Sequence, residues 1–288
     1  MTRRVTILAL LAFCGYAQEA KTLDSPEWSK PFPAFQIVGN LYYVGTYDLA
    51  CYLIVTPAGD MLINTGSIGS APLIRKNIES LGFRLTDVKL LLTTQGHWDH
   101  MGGMAEIKRL SGARMAVLEQ DVAVVESGGK DDFRWGQDPG AWYDPVKVEQ
   151  HLHDRQVISL GGTDVTVLWH PGHTKGSASY QLTVADGGTS YRVLIVNLPS
   201  INPGVTLLKN DRYPNILNDY ASTLLKQKEL QPEIFLSSHA GQFALHRKYQ
   251  PGDVYQPIRF VDPAGYRGAV AAMQAAFDRQ VARERAAQ

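Results

Sequence analysis

The chain has 288 residues, enough for one large domain or two small ones, and 44% of them are apolar, which suffices for a sizeable core. Lys plus Arg and Asp plus Glu number 28 each, and charged residues make up only 19%. That balance removes the electrostatic case for a nucleic-acid or anionic-membrane partner.

Arg3 and Arg4 precede an apolar run from Val5 to Ala17, followed by Gln18-Glu19-Ala20. Positive residues, a short apolar run and a small-polar segment are the layout of a secretory signal peptide, and the run is too short to span a bilayer. Residues 1–20 are therefore expected to be a signal peptide and residues 21–288 one mature domain, periplasmic or secreted. Cleavage there removes Cys14 and leaves Cys51 alone, so no internal disulfide is expected.

No linker, low-complexity tract or short repeat divides the mature chain. Strands are expected at Leu41 to Val44, Cys51 to Val55 and Met61 to Ile63, with Pro57-Ala58-Gly59 as a turn. Leu73, Ile74, Ile78 and Leu81 have helical spacing, with Ser70 as N-cap and Pro72 in the first turn. Val88 to Leu92 reads as a buried strand, and His100 to Leu110 as a helix after it. Residues 128–147 form a long polar and aromatic loop, a kind that in compact domains is often functional. Further strands follow at Val157 to Leu160, Val165 to Trp169, Ala178 to Val184 and Tyr191 to Val196. A helix near Ile216 to Leu230, a strand from Glu233 to Leu236 and a terminal helix over Ala264 to Ala287 complete the chain. This alternation predicts an α+β (α/β) fold, a four-layer αββα sandwich of two packed sheets with helices outside.

Chemistry concentrates at three strand ends. Gln95-Gly96-His97-Trp98-Asp99-His100 follows the strand at Val88, and His170-Pro-Gly-His173-Thr-Lys-Gly-Ser177 follows another. Ser237-Ser238-His239 follows the strand ending at Leu236. Rigid strands that each deliver an imidazole or a carboxylate suit a polydentate metal site. The other histidines read differently. His151 and His153 lack a carboxylate or glycine turn and read as surface residues, His170 as shaping its turn, and His246 as solvated beside Arg247 and Lys248.

In order and separation, Gln95-x-His97-x-Asp99-His100, Gly172-His173-Thr174-x-Gly176-Ser177 and Ser238-His239 resemble the ligand motifs of the metallo-β-lactamase superfamily over the whole mature chain. Gln95 stands where the first histidine is expected. Tyr191 to Val196 is followed by Asn197-Leu198-Pro199-Ser200, with neither the Asp that bridges two metals in lactonases and thioesterases nor a Cys. The chain therefore looks like the third subclass of class B β-lactamases, and most resembles its Gln-bearing, GOB-type members. The resemblance implies Zn²⁺, one or two ions. One site would be Asp99, His100 and His239, the other Gln95, His97 and His173. The neutral amide of Gln95 is a weaker donor to zinc than imidazole, so the Asp99 site is expected to fill first. Asn64 stands where relatives carry a supporting Asp. The implied reaction is opening of the β-lactam ring of penicillins, cephalosporins or carbapenems by metal-activated hydroxide, with Asp99 and His239 in the catalytic centre. Ser200, Asn202, Trp135, Trp142 and Tyr143 are the expected substrate contacts, and a monomer is expected. Two other readings remain: a hydrolase on the same fold acting on a lactone, thioester or phosphoester, and a zinc-binding protein without activity.

Overall fold

The computed structural model describes residues 23–288, and the expected signal peptide at residues 1–20 lies outside the described residues. The first sheet runs in chain order through β1 (Phe35–Val38), β2 (Leu41–Tyr43), β3 (Tyr52–Ile54), β4 (Asp60–Ile63), β5 (Val88–Leu92), β6 (Arg114–Leu118) and β7 (Gln150–Leu152). The second holds β8 (Val157–Leu160), β9 (Thr163–Trp169), β10 (Ala178–Asp186), β11 (Thr189–Val196) and β12 (Ile234–Ser237), in spatial order β12-β11-β10-β9-β8. The helices are α1 (Pro26–Ser29), α2 (Ala71–Ser80), α3 (Trp98–Met101), α4 (Met104–Ser111), α5 (Val122–Glu126), α6 (Ile216–Glu229), α7 (Leu245–Lys248) and α8 (Pro263–Ala286).

Alternation along β4 and β5 builds the layers. Met61, Ile63, Leu90 and Leu92 face the second sheet, where they share one core with Val165, Val167, Tyr180 and Leu182. Leu62, Val88 and Leu91 face outward and pack with Ile74 and Ile78 of α2 and Met104 and Ile107 of α4. Apart from the exposed Lys89, β5 is buried on both faces, which is why its other residues are apolar. On the far side of the second sheet, Tyr266 of α8 packs on Phe235 of β12 at 5.6 Å between rings, and α8 packs along α6. The result is the expected αββα sandwich. None of the described helices is long and apolar enough to cross a membrane.

The structure corrects several details. The expected helix from His100 to Leu110 is two helices, α3 and α4, broken at Gly102-Gly103. A Cβ on Gly102 would lie 2.2 Å from the Ile68 nitrogen, so the loop after β4 can press against this break only at a glycine. Ser70 stands at the N-cap of α2, but its side chain makes no capping bond. Strands β6 and β7 carried no clear sequence signal. Met, Ala and Leu in β6 favour helix, and pairing with β5 overrides that propensity. β7 has only Leu152 buried.

Candidate metal centre

Parallel pairing brings the strand ends together. Ile63 lies opposite Leu92, and Val196 opposite Ser237, so β4 and β5 end at one edge and β11 and β12 at another. Thr93 and Thr94 join the two edges. The Thr94 carbonyl accepts the Ala178 N–H (2.8 Å) and the Asn197 Nδ2 (2.7 Å), while the Thr93 carbonyl accepts the Tyr180 hydroxyl at 2.6 Å. Ser238 Oγ donates to Thr94 Oγ1 at 2.9 Å.

On this seam Asp99, His100 and His239 converge. Asp99 Oδ2 lies 3.1 Å from His100 Nε2 and 3.4 Å from His239 Nε2. One atom from each residue falls within 4.8 Å of the others, close enough for a single ion. Burial alone would raise the Asp99 carboxyl, but His100 and His239 hold it well below the usual carboxylate range. Burial opposes charge on His239 too, yet Asp48 and Asp99 push it up to about 9. Asp48 Oδ2 sits 2.9 Å from His239 Nδ1 and so leaves Nε2 facing Asp99. A carboxylate behind a ligating histidine fixes its tautomer and ring orientation. Burial keeps His100 neutral; its Nδ1 has no hydrogen-bond partner, and its Nε2 has only the Asp99 carboxylate before it. A buried imidazole left unpartnered is costly, and a cation is the partner this donor set fits.

His97 and His173 lie close enough to Asp99 to feel its charge. The His97 and His173 rings meet edge to face at 4.9 Å. His173 Nδ1 donates to the Ser200 carbonyl at 2.7 Å, and burial among imidazoles pushes its pKa down to about 3, so Nε2 carries a free lone pair. His97 Nε2 lies 3.3 Å from Asp132 Oδ2, and Asp132 lifts its pKa despite burial. Gln95 is buried, and its Oε1 accepts from Asn197 Nδ2 at 3.1 Å. The Thr94 carbonyl can only accept, so the Asn197 amide must point its NH₂ this way. The end of Gln95 facing Asn197 is therefore its oxygen.

Asn64 supports the seam. Its backbone is left-handed (φ 64°), a conformation asparagine tolerates. Oδ1 accepts the Thr94 N–H at 2.8 Å and Nδ2 donates to the Ala50 carbonyl at 3.2 Å. An aspartate there could not make the second bond.

The expected substrate contacts divide. The Ser200 carbonyl accepts from His173 and from the Tyr220 hydroxyl, and Ser200 and Asn202 line a cavity of about 520 Å³ between the 200–206 loop and α8. Trp135 stacks edge-on against Trp98 at 5.4 Å, with the Arg134 guanidinium over its ring. Trp142 donates Nε1–H to the Gly136 carbonyl at 3.1 Å within its own loop. Tyr143 is a correction: it is buried, and its hydroxyl donates to the Gly96 carbonyl at 2.7 Å, so it braces the motif from beneath. His246 is another. Its ring stacks on Tyr47 at 3.9 Å and donates to the Tyr47 carbonyl, so it is packed and not merely solvated. His151 is exposed beside Glu119, as read, and His170 is buried in its turn against Ser179.

Sequence reasoning missed Asp48, Asp121, Asp132 and Asn197. Each lies far in sequence from the motif residue it contacts, and an isolated acid or amide in a loop carries no spacing signal. Asn197 was noted only for the Asp it is not.

The chain matches the metallo-beta-lactamase superfamily over residues 46–239. A crystal structure of a class B3 di-zinc metallo-beta-lactamase from an Alaskan soil metagenome is 46% identical, covers 90% of this chain and 98% of its own, and has a TM-score of 0.88. The metallo-beta-lactamase GOB-18 from Elizabethkingia meningoseptica is 42% identical, with coverage of 90% and 96% and a TM-score of 0.88. A beta-lactamase from Chitinophaga pinensis is 44% identical, with coverage of 90% and 97% and a TM-score of 0.87. A hydroxyacylglutathione hydrolase of Rhodopseudomonas palustris strain HaA2 is 30% identical over 129 residues, 45% of this chain and 41% of that protein. The chain thus spans about two fifths of the length of such curated relatives.

Proposed function

The chain belongs to the metallo-beta-lactamase superfamily, and on that premise we propose that it is a zinc-dependent β-lactamase that opens the lactam ring of penicillins, cephalosporins or carbapenems. The observation that carries this reading is the convergence of ligand atoms of Asp99, His100 and His239 within 4.8 Å of one another, with the buried His100 Nδ1 left without a partner. Asp99, His100 and His239 would hold the first ion, and Gln95, His97 and His173 a second more weakly. Bound zinc supplies a nucleophile at neutral pH, by lowering the pKa of water to about 7, and a Lewis acid for the carbonyl. Asp99 stays ionised, so the oxygen it does not give to the ion can accept a hydrogen bond from the attacking water and orient it. Asp48 and the Ser200 carbonyl keep the outer nitrogens of His239 and His173 occupied, which aims the inner ones at the site. Ser200, Asn202 and Trp135 at the rim are the candidate substrate contacts. None of the chain's hydroxyls or thiols is needed as a covalent nucleophile, and Cys51 is buried with its thiol pushed up by burial.

A second reading, thioester hydrolysis, has the partial relatives in its favour. Against it stands Asn197, whose amide is committed to Thr94 and Gln95 where such enzymes place a bridging carboxylate. The opening segment, Arg3 to Ala20, supports export, and the periplasm or the exterior as the place of action. Purified protein assayed with and without chelator against a penicillin, a cephalosporin, a carbapenem, a lactone and a glutathione thioester tests the reading. Chelator-sensitive lactam turnover supports it; thioester or lactone turnover alone sinks it.

A further inference from the structure

Asp121 is fully buried at the end of β6, on neither of the strands that deliver the histidines. It nonetheless touches both ligand loops. Oδ2 accepts the Gly96 N–H at 2.9 Å and the Thr174 hydroxyl at 2.7 Å, and Oδ1 accepts the Gly176 N–H at 2.6 Å. Gly96 immediately precedes His97, and Thr174 immediately follows His173. Thr174 is itself fixed, since its N–H donates to Ser177 Oγ at 2.9 Å and the two hydroxyls meet at 2.9 Å.

Both glycines are needed for this approach. A Cβ on Gly176 would lie 2.5 Å from the Asp121 nitrogen and 2.7 Å from its Cγ. A Cβ on Gly96 would lie 2.9 Å from Val124 Cγ1 and 3.3 Å from Asp121 Oδ2. Real side chains do not sit so close, so the two loops close around this carboxylate only because neither residue has one. The glycines and the threonine of two separate motifs are thus explained by one side chain outside both.

We propose that Asp121 is the positioning residue of the His97 and His173 pair: a single buried carboxylate ties the two loops together and sets the spacing of their imidazoles. The inference rests on the reading of that pair as a metal site. The Asp99, His100 and His239 group has its own anchors in Asp48 and the seam, and Asp121 contacts none of it. Loss of Asp121 therefore acts on one site and spares the other. The pair depends on this tie because its third member, Gln95, is a weak donor to zinc.

Hydrogen exchange of the metal-free protein reads the tie without any ion. In Asp121→Asn an NH₂ replaces one acceptor oxygen, and whichever of the Gly96 and Gly176 amides loses its acceptor is expected to exchange at least about tenfold faster. Titration with Co²⁺, followed through the paramagnetically shifted imidazole resonances, reads the consequence. Affinity at His97 and His173 is expected to fall about 10- to 100-fold, the usual effect of removing an outer partner, while His100 and His239 respond as in wild type. Thr174→Val removes one donor and should weaken the same site less, and Thr174→Ser should restore it. These two variants carry the test should Asp121→Asn fail to fold. Unchanged protection of both amides, or equal loss at both sites, overturns the proposal. A wild-type protein that takes no ion at His97 and His173 contradicts the two-site reading instead, and the tie is then decided by the exchange of the two amides alone.

Discussion

At the scale of single residues, second nitrogens and second oxygens decide the site. Asp48 takes His239 Nδ1 and raises its pKa to about 9, so a proton and a metal compete for the same imidazole. The sign follows directly. Below about pH 9 the metal must displace that proton, so affinity at the Asp99 site should rise about tenfold per pH unit from 7 to 9 and then level. Calorimetry in buffers of different ionisation enthalpy would count the released proton; pH-independent affinity over this range would refute the mechanism. Asp48→Asn should lower the His239 pKa and flatten this dependence, and above about pH 9, where no proton competes, cost about 10- to 100-fold in metal affinity. Gln95 illustrates how far a sequence can be read. Its place in the motif was legible, as was its weakness as a donor, but the Asn197 amide that turns its oxygen was not. Gln95→His should tighten the second ion by at least about tenfold, an imidazole replacing an amide, and change lactam turnover less. Competition titration alongside turnover numbers would show whether the two move together, which would refute that ordering. Asn64 looked like a carboxylate lost, yet its NH₂ has its own carbonyl partner on Ala50. Asn64→Asp should therefore destabilise the seam and not improve the site.

At the scale of elements, β5 and β12 were readable from their own apolar residues, whereas β6 and β7 were not. Val88 to Leu92 and Ile234 to Ser237 carry their burial in their own residues. Strands β6 and β7 exist because β5 offers a free edge, which no local pattern in Arg114–Leu118 or Gln150–Leu152 announces. The loops follow the same division. The 128–147 loop was recognised by composition, but its attachment was not. Asp132 caps Arg134 and Trp135 while facing His97, and Arg134 Nε donates to the Pro203 carbonyl at 2.7 Å. The 200–208 loop is held in turn by α8, whose Glu284 accepts the Leu207 and Leu208 N–H groups at 2.8 to 2.9 Å. Glu284→Ala frees those amides and loosens the loop that carries Ser200 and Asn202. The expected outcome is a several-fold rise in KM with a smaller fall in kcat, since Ser200 also holds His173. A fall in kcat at constant KM would show that the helix acts on the chemistry instead.

At the scale of the whole molecule, two sheets are joined at Thr93 and Thr94, and the candidate ligands stand along that junction. Four of the six come from the first sheet, at Gln95, His97, Asp99 and His100, and two from the second, at His173 and His239. Neither sheet alone makes a complete site, so the metal centre and the packing of the two halves are coupled, and bound metal should stabilise the fold. The sequence analysis reached this arrangement because the ligands lie at strand ends in short motifs. It could not reach the buried carboxylates that hold them, which touch the motifs only after folding. The Asp99, His100 and His239 group is the proposed working site and is expected to fill first. Metal-free protein titrated with zinc while lactam turnover is followed tests it most directly. Turnover should climb to near its plateau within the first equivalent. Activity that stays flat through the first equivalent and rises only with the second would contradict the account.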